Sequence, residues 1–124
     1  MLVRTRNILG IFSVLLFAVS TPCQNEIIEI QEPFEAQALA GQVRVGEDPN
    51  GVKGVLAERC TSDWKSVLES TYTDEKEHFN FPKASRRKLH YLRLSFRGAH
   101  TLRVKVKITR SGTKKLSLTL EFAT

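Results

Sequence analysis

The 124-residue chain has few of the residues that mark specialised classes of protein. Two cysteines are too few for a disulfide-dense miniprotein, and seven glycines and four prolines exclude a collagen or a disordered Pro/Gly tract. Beyond the first 20 residues there is no apolar run long enough to span a membrane. What remains, with 41% hydrophobic and 26% charged residues, is the composition of one globular domain.

The amino terminus has the pattern of a secretory signal. Two arginines precede the apolar stretch at 8–19, which is shorter than the roughly 20 residues that cross a bilayer. Small residues favour cleavage after Ser20, cleavage after Cys23 is the alternative, and a retained anchor is a third possibility. We expect residues 1–23 to be a signal peptide and the mature chain to be exported, without a transmembrane span.

The cleavage site decides the state of the two cysteines. If Cys23 is retained, export would permit a disulfide between Cys23 and Cys60. If Cys23 is removed, Cys60 is alone and is expected to be a small buried hydrophobic residue. Two cysteines 37 residues apart match no zinc signature.

Charge is unevenly distributed along the chain. Residues 24–80 hold 12 acids and 5 bases, a net charge of −7, whereas residues 81–124 hold 1 acid and 12 bases, a net charge of +11. Such polarity can steer an acidic partner to one surface. The simpler interpretation, which we favour, is that the two halves interleave as strands and neutralise each other.

Apolar and polar residues alternate with a period of two from Leu39 onward, which predicts half-buried β-strands. Turn residues divide this region into seven strands, at 39–45, 52–60, 66–73, 78–81, 89–95, 102–108 and 116–122. We expect Val104, Val106, Leu118 and Leu120 to be buried, and Phe122 continues the same alternation. The pattern indicates an all-β fold, a seven-stranded antiparallel β-sandwich.

The segment before these strands is acidic and less regular. We assign residues 24–37 to an acidic lead-in, with an edge strand at 26–30 as an option, and residues 38–124 to the sandwich domain. Helix-favouring residues follow a proline at 33–39, where the alternation that starts at Leu39 competes with a helix.

Short landmarks across residues 38–124 resemble a known family. In chain order they are Gly41-x-Val43, Pro49-x-Gly51, Gly54-Val55, Thr73-Asp74 followed by Phe79, and Leu92-x-Leu94 followed by Gly98. This order resembles carboxypeptidase regulatory-like domains, and residues 58–67 resemble small, secreted, stand-alone bacterial members. The resemblance implies a transthyretin-like (prealbumin-like) sandwich with an accessory role in the cell envelope or outside the cell.

The chain departs from this family in the turn before the strand that carries Phe79. The family has a glycine there, and this chain has Lys76-Glu77-His78. A residue with positive φ in this turn would cost about 1 kcal/mol unless the turn has another shape.

The sequence predicts no enzyme. His78, His90 and His100 form no His-Glu-x-x-His motif, and antiparallel neighbouring strands would hold His90 and His100 roughly 16 Å apart. A Gly-x-Ser-x-Gly elbow and the phosphate-binding glycine loops are absent. We therefore expect no catalytic residue, no metal and no cofactor.

Two features remain as candidate binding sites. Trp64 lies in a predicted polar loop, where it could stack on a sugar ring or instead cap the open end of the core. Arg103, Lys105 and Lys107 point the same way on one strand, with Arg93 on its neighbour. They predict a cationic face for an acidic polymer or lipid headgroup, or else a solvated strand face.

These observations predict an exported module that is not an enzyme and that acts as a binding or structural accessory in the cell envelope or outside the cell. Its partner would be an envelope protein or an acidic glycan rather than nucleic acid, because the chain is expected to leave the cytoplasm. A carbohydrate-binding module that uses Trp64, and an assembly partner of a separate envelope protein, are the alternatives. We expect the Trp64 loop and the cationic strand face to be separate surfaces.

Overall fold

A computed structural model describes residues 26–47, 54–86 and 88–123. The predicted signal peptide, Cys23 and most of the predicted turn at 47–51 lie outside the described residues. Within them the chain forms nine β-strands and no helix. The strands are β1 (Ile27–Glu29), β2 (Phe34–Ala36), β3 (Ala40–Val45), β4 (Leu56–Cys60), β5 (Val67–Tyr72), β6 (His78–Asn80), β7 (Leu89–Ser95), β8 (Thr101–Ile108) and β9 (Leu116–Leu120).

The strands form two sheets, which share one core. The large sheet has the order β1-β8-β7-β4-β5, and β2 pairs with β8 further along the edge that β1 occupies. The small sheet has the order β9-β3-β6. No described helix is long and apolar enough to cross a membrane.

The expectation of an all-antiparallel, seven-stranded arrangement is wrong. Both sheets are mixed, because β1 and β2 run parallel to β8 and β9 runs parallel to β3. Two of the nine strands, β1 and β2, come from the acidic lead-in. The edge strand expected at 26–30 is present as β1, whereas the helix considered at 33–39 is replaced by β2. Backbone pairing with β8 and burial of Ala36 override the local helix preference there.

The alternation identifies most of the core correctly. The large sheet contributes Val104 and Val106 and the small sheet Leu118 and Leu120, and each of these side chains is at most 4% exposed. Burial of this apolar surface from both sheets is the main favourable contribution to the fold.

Phe122 is the exception to this pattern, since it is 53% exposed. Strand β9 ends at Leu120, so the alternation no longer fixes the direction of the side chain two residues later. The Phe122 ring lies against Gly46, where an added Cβ would be 2.7 Å from a ring carbon. Gly46 also has a φ of 65°, so glycine is required there both for space and for backbone conformation.

The turn before β6 contains a residue with positive φ, the strained conformation that the sequence predicted as a cost of the missing glycine. Glu77 has a φ of 69° and is 5% exposed. Its Oε1 accepts a hydrogen bond of 2.8 Å from Gln42 Nε2, but its Oε2 has no partner among the described residues. The Asp74 carboxylate supports the turn by accepting from the backbone N–H groups of Lys76 and His78, and the His78 bond lowers the pKa of Asp74.

Strand pairing interleaves the acidic and basic halves of the chain. On the outer face of the large sheet, Arg93 lies opposite Glu58 on one side and Arg103 on the other. Along the far edge of β8, Glu29 lies opposite Arg103 and Glu35 opposite Lys107. The structure thus supports the interpretation that the two halves neutralise each other, at least along the middle of the sheet.

Candidate functional site

The loop between β4 and β5, residues 61–66, is held in a fixed shape and is called the cover loop below. Asp63 Oδ1 accepts hydrogen bonds from the Thr61 hydroxyl at 2.6 Å and from the Lys65 backbone N–H at 3.0 Å. The Thr61 bond is the main reason that the pKa of Asp63 is lowered. Trp64 has a φ of 66°, which is rare for a bulky residue and persists only where surrounding contacts hold it.

Those contacts come from the outer face of the large sheet. The Trp64 ring meets Tyr91 edge to face, with ring centroids 5.4 Å apart, and the guanidinium carbon of Arg103 lies 5.1 Å from the Trp64 ring centroid. The Trp64 carbonyl accepts a hydrogen bond of 3.1 Å from Arg93 Nη1. Edge-to-face rings and cation–π contacts are favourable geometries that fix this side chain.

Trp64 therefore does not cap the open end of the core, and its loop is not a separate surface from the cationic strands. Both expectations are wrong, because the left-handed backbone at Trp64 accompanies a loop that lies on the outer face of the sheet. The alternation of side chains in the sequence gives no information on this φ value, so the sequence could not show that the loop folds onto the sheet.

Arg93 and Arg103, called the central cations below, are engaged within the fold. Arg93 Nε donates to Glu58 Oε1 at 2.9 Å, and this bond raises the pKa of Arg93. Arg103 Nη1 lies 3.8 Å from Glu29 Oε1 while its guanidinium covers Trp64. Both side chains are less than one quarter exposed, so little of either is free to meet a ligand.

Cys60 lies in the same part of the sheet as Trp64. It pairs with Tyr91 in the register between β4 and β7 and is 2% exposed. Burial raises the pKa of the Cys60 thiol, and the nearby Arg93 opposes that rise. This matches the expected small buried residue, and a covered thiol of this kind is poorly reactive.

A second group of cations lies at the end of β8. Arg86, Lys107 and Arg110 line an open cavity of about 480 Å³ together with Ile108 and Thr109, and we call these three cations the basic end. A neighbouring cavity of about 160 Å³ shares Arg86, Ile108, Thr109 and Arg110 and adds Gln37. All three cations are exposed.

The basic end is not neutralised as the central cations are. None of its three side chains forms an ion pair or a side-chain hydrogen bond with another described residue. The nearest acid in the register is Glu35, which lies opposite Lys107 and accepts a hydrogen bond of 3.2 Å from the Thr109 hydroxyl. Lys105, between the two groups, is half-buried opposite Tyr91.

Of the five residues predicted as binding candidates, the structure brings Trp64, Arg93 and Arg103 into one packed cluster and places Lys107 in the basic end. Sequence reasoning did not include Arg86 and Arg110 as candidates. The signal was present in the predicted β7–β8 hairpin, since the register that pairs Leu89 with Lys107 brings the residues before β7 close to those after β8.

The described residues contain no group of three His, Cys, Asp or Glu side chains that could hold a metal ion. His90 is buried, and its Nε2 lies 2.8 Å from the Ser85 carbonyl oxygen. No protein-family model matches the chain, and no curated protein is significantly similar to it.

Proposed function

We propose that this chain is an exported, non-catalytic β-sandwich module that binds an acidic glycan at its basic end. We further propose that it is a transthyretin-like, carboxypeptidase regulatory-like domain. The two-sheet core and the landmark residues in the sequence support that fold assignment, and the pattern at 1–23 supports export.

The observation that supports the binding proposal is that two groups of cations on one sheet differ in their interaction partners. The central cations each have an acid or an aromatic ring beside them, which stabilises the fold. Arg86, Lys107 and Arg110 line one cavity and form no ion pair with a described residue, although Glu35 lies opposite Lys107 in the register. Like charges held near one another repel, so an arrangement of this kind is favourable once an anion binds among them.

The remaining lining of the cavity suits a sugar that bears an acidic group. Guanidinium groups bind carboxylate, sulfate or phosphate oxygens with paired hydrogen bonds. Thr109 lines the same cavity and adds a hydroxyl group, whereas Ile108 belongs to the core and is only 3% exposed. Several such units along a polymer would extend the contact toward Lys105.

The alternative in which Trp64 stacks on a sugar is less well supported. Arg103 already lies over the Trp64 ring, and Tyr91 contacts it edge to face. A sugar would have to displace these contacts or use the remaining part of a half-buried ring.

Calorimetric binding to polygalacturonate, with dextran as the neutral polymer, tests the proposal. We expect binding to polygalacturonate alone, and weaker binding as salt rises, because exposed charges are screened over about 8–10 Å near physiological ionic strength. Lys107→Glu should weaken binding at least about tenfold, since it replaces an attraction by a repulsion within the cavity.

Arg97→Glu is the matched control. It makes the same change in net charge on an exposed residue in the turn at the opposite end of the β7–β8 hairpin, roughly 20 Å away along the strand. It should change affinity by no more than about twofold at moderate salt. Absence of binding at low salt, or equal losses in the two variants, would refute the proposal.

A further inference from the structure

Strand β5 is an open edge of the large sheet. Among the described residues it pairs only with β4, so the backbone groups along its other side have no described strand beside them. It spans six residues and carries no lysine and no proline. Its one charged side chain, Glu69, is bound to Arg59 at 2.7 Å.

The opposite edge of the same sheet is protected in the ways that natural proteins use. It consists of two three-residue strands, β1 and β2, with Pro33 in the gap between them. Glutamates at positions 26, 29, 32 and 35 lie along it. Short strands, proline and charge all discourage another strand from pairing. Strand β5 has no proline and its one charge is paired, but it carries a bulge at Leu68, which falls between the pairs Arg59–Glu69 and Cys60–Val67.

Three exposed side chains of β5 are apolar, namely Val67 at 44%, Leu68 at 52% and Tyr72 at 66%. Ser70 and Tyr72 lie on the outer face, opposite Glu58 and Leu56 of β4, and Leu68 is the extra residue of the bulge. A strand added antiparallel to β5 extends the sheet only if residues on the same face lie opposite each other.

We propose that a second copy of this chain binds at this edge, with the two β5 strands antiparallel and the two copies of Ser70 opposite each other. This register places Leu68 of each copy opposite Tyr72 of the other, so two of the three exposed apolar side chains gain an apolar partner, while Val67 lies opposite Thr73. Glu69 then faces Thr71, and no two like charges meet.

Neighbouring registers are less favourable. A register centred on Glu69 sets two carboxylates opposite each other and leaves Tyr72 without a partner strand. A register centred on Thr71 moves Leu68 opposite Asp74 and Tyr72 opposite Ser70, so neither apolar side chain gains an apolar partner. The strand is therefore complementary to itself in the register around Ser70. This favours a second copy of the chain as the partner rather than a strand of unrelated sequence.

Sedimentation equilibrium of the wild-type protein, over concentrations up to about 1 mM, measures the association. We expect a reversible monomer–dimer equilibrium. The double variant Leu68→Lys and Tyr72→Lys should raise the dimer dissociation constant at least about tenfold, because lysines on an edge strand oppose pairing. Both residues are exposed, so circular dichroism and the unfolding midpoint should stay unchanged when both proteins are measured well below the dimer dissociation constant, where association does not add to stability.

Cysteine cross-linking tests the register itself. Ser70→Cys places two thiols opposite each other, within the distance of facing Cβ atoms in a sheet, about 4.5–5.5 Å, and mild oxidation should give a covalent dimer. Tyr72→Cys is the matched control, since its two thiols would lie about four residues apart along the strands and should not react. The wild-type protein controls for Cys60.

A wild-type protein that stays monomeric at all concentrations would overturn the proposal and leave the edge to a strand from another protein. A dimer that the lysine variant does not weaken would also overturn it, since the interface would then lie elsewhere. Cross-linking of Tyr72→Cys but not of Ser70→Cys would refute the register. Glycan binding at the basic end is measured separately and does not depend on these results.

Discussion

The outer face of the large sheet holds two groups of cations that the sequence presents as one stripe. Arg93 and Arg103, in the middle of the sheet, are bound to Glu58, Glu29 and the ring of Trp64. Lys107, two strand positions beyond Lys105, shares a cavity with Arg86 and Arg110 and has no ion-pair partner among the described residues.

The difference arises from which strands lie beside each cation. In the middle of the sheet, β1 and β4 bring acids from the amino-terminal half of the chain against β7 and β8. At the end of β8, β2 brings one acid, Glu35, opposite Lys107, whereas the segments that precede β7 and follow β8 come from the basic half. Charge along the sequence therefore says little until the pairing of strands decides which charges are neutralised.

The largest expected effect on stability is at the central cations. Arg93→Ala should lower the free energy of unfolding by about 1–3 kcal/mol, because Glu58 and the Trp64 carbonyl lose a charged donor in a partly buried site. Urea denaturation measures the change. Lys107→Ala is the control and should stay within about 0.5 kcal/mol of the wild type. Equal changes would mean that the two groups do not differ as described.

The packing of the cover loop on the central cations can be tested by the reactivity of the nearby Cys60 thiol. Trp64→Ala should make the Cys60 thiol react with a maleimide reagent about tenfold faster, because the ring packs on Tyr91, the register neighbour of Cys60, and its loss should loosen the packing over the thiol. Burial raises the pKa of Cys60, so uncovering it should also shift the labelling profile toward lower pH.

The control for this measurement is Phe122→Ala, which removes an exposed aromatic ring that lies against Gly46. It should leave the labelling rate and its pH profile unchanged. If Trp64→Ala also leaves them unchanged, the loop does not cover Cys60, and the packing described around it is wrong.

Sequence reasoning succeeded where a local pattern determines the structure. Alternation in β8 and β9 placed Val104 and Leu118 in the core, and the missing glycine before β6 anticipated the strained φ of Glu77. It failed where pairing between distant segments decides the outcome. The parallel pairing of β1 and β2 with β8 and the fold of the cover loop onto Tyr91 depend on such contacts.

Glu77 is a buried acid with one carboxylate oxygen that has no described partner, so it tests what an unpaired acidic group costs the fold. Glu77→Gly should raise the free energy of unfolding by about 1 kcal/mol, because glycine adopts a φ of 69° without strain. The change also removes a buried carboxylate oxygen that has no described partner. Thermal unfolding measures the gain, and Glu77→Ala, which keeps the backbone strain, should show less of it. A loss of stability in Glu77→Gly would show that the bond to Gln42 outweighs both costs.

The smallest effect is expected at Lys105, which lies between the two groups. Lys105→Ala should change the free energy of unfolding by less than about 0.5 kcal/mol, since this half-buried side chain makes no ion pair with a described residue. It should weaken polygalacturonate binding less than Lys107→Ala does. A loss of stability as large as that of Arg93→Ala would show that Lys105 belongs with the central cations and contributes to the fold as they do.

The separation of the two groups of cations is tested most directly by measuring polygalacturonate affinity for Arg93→Ala and Lys107→Ala side by side at one low salt concentration. Each variant removes one positive charge from the same sheet face. The account predicts that Lys107→Ala weakens binding several-fold more than Arg93→Ala, although Arg93→Ala is the less stable protein. Equal losses, or a greater loss in folded Arg93→Ala, would contradict it.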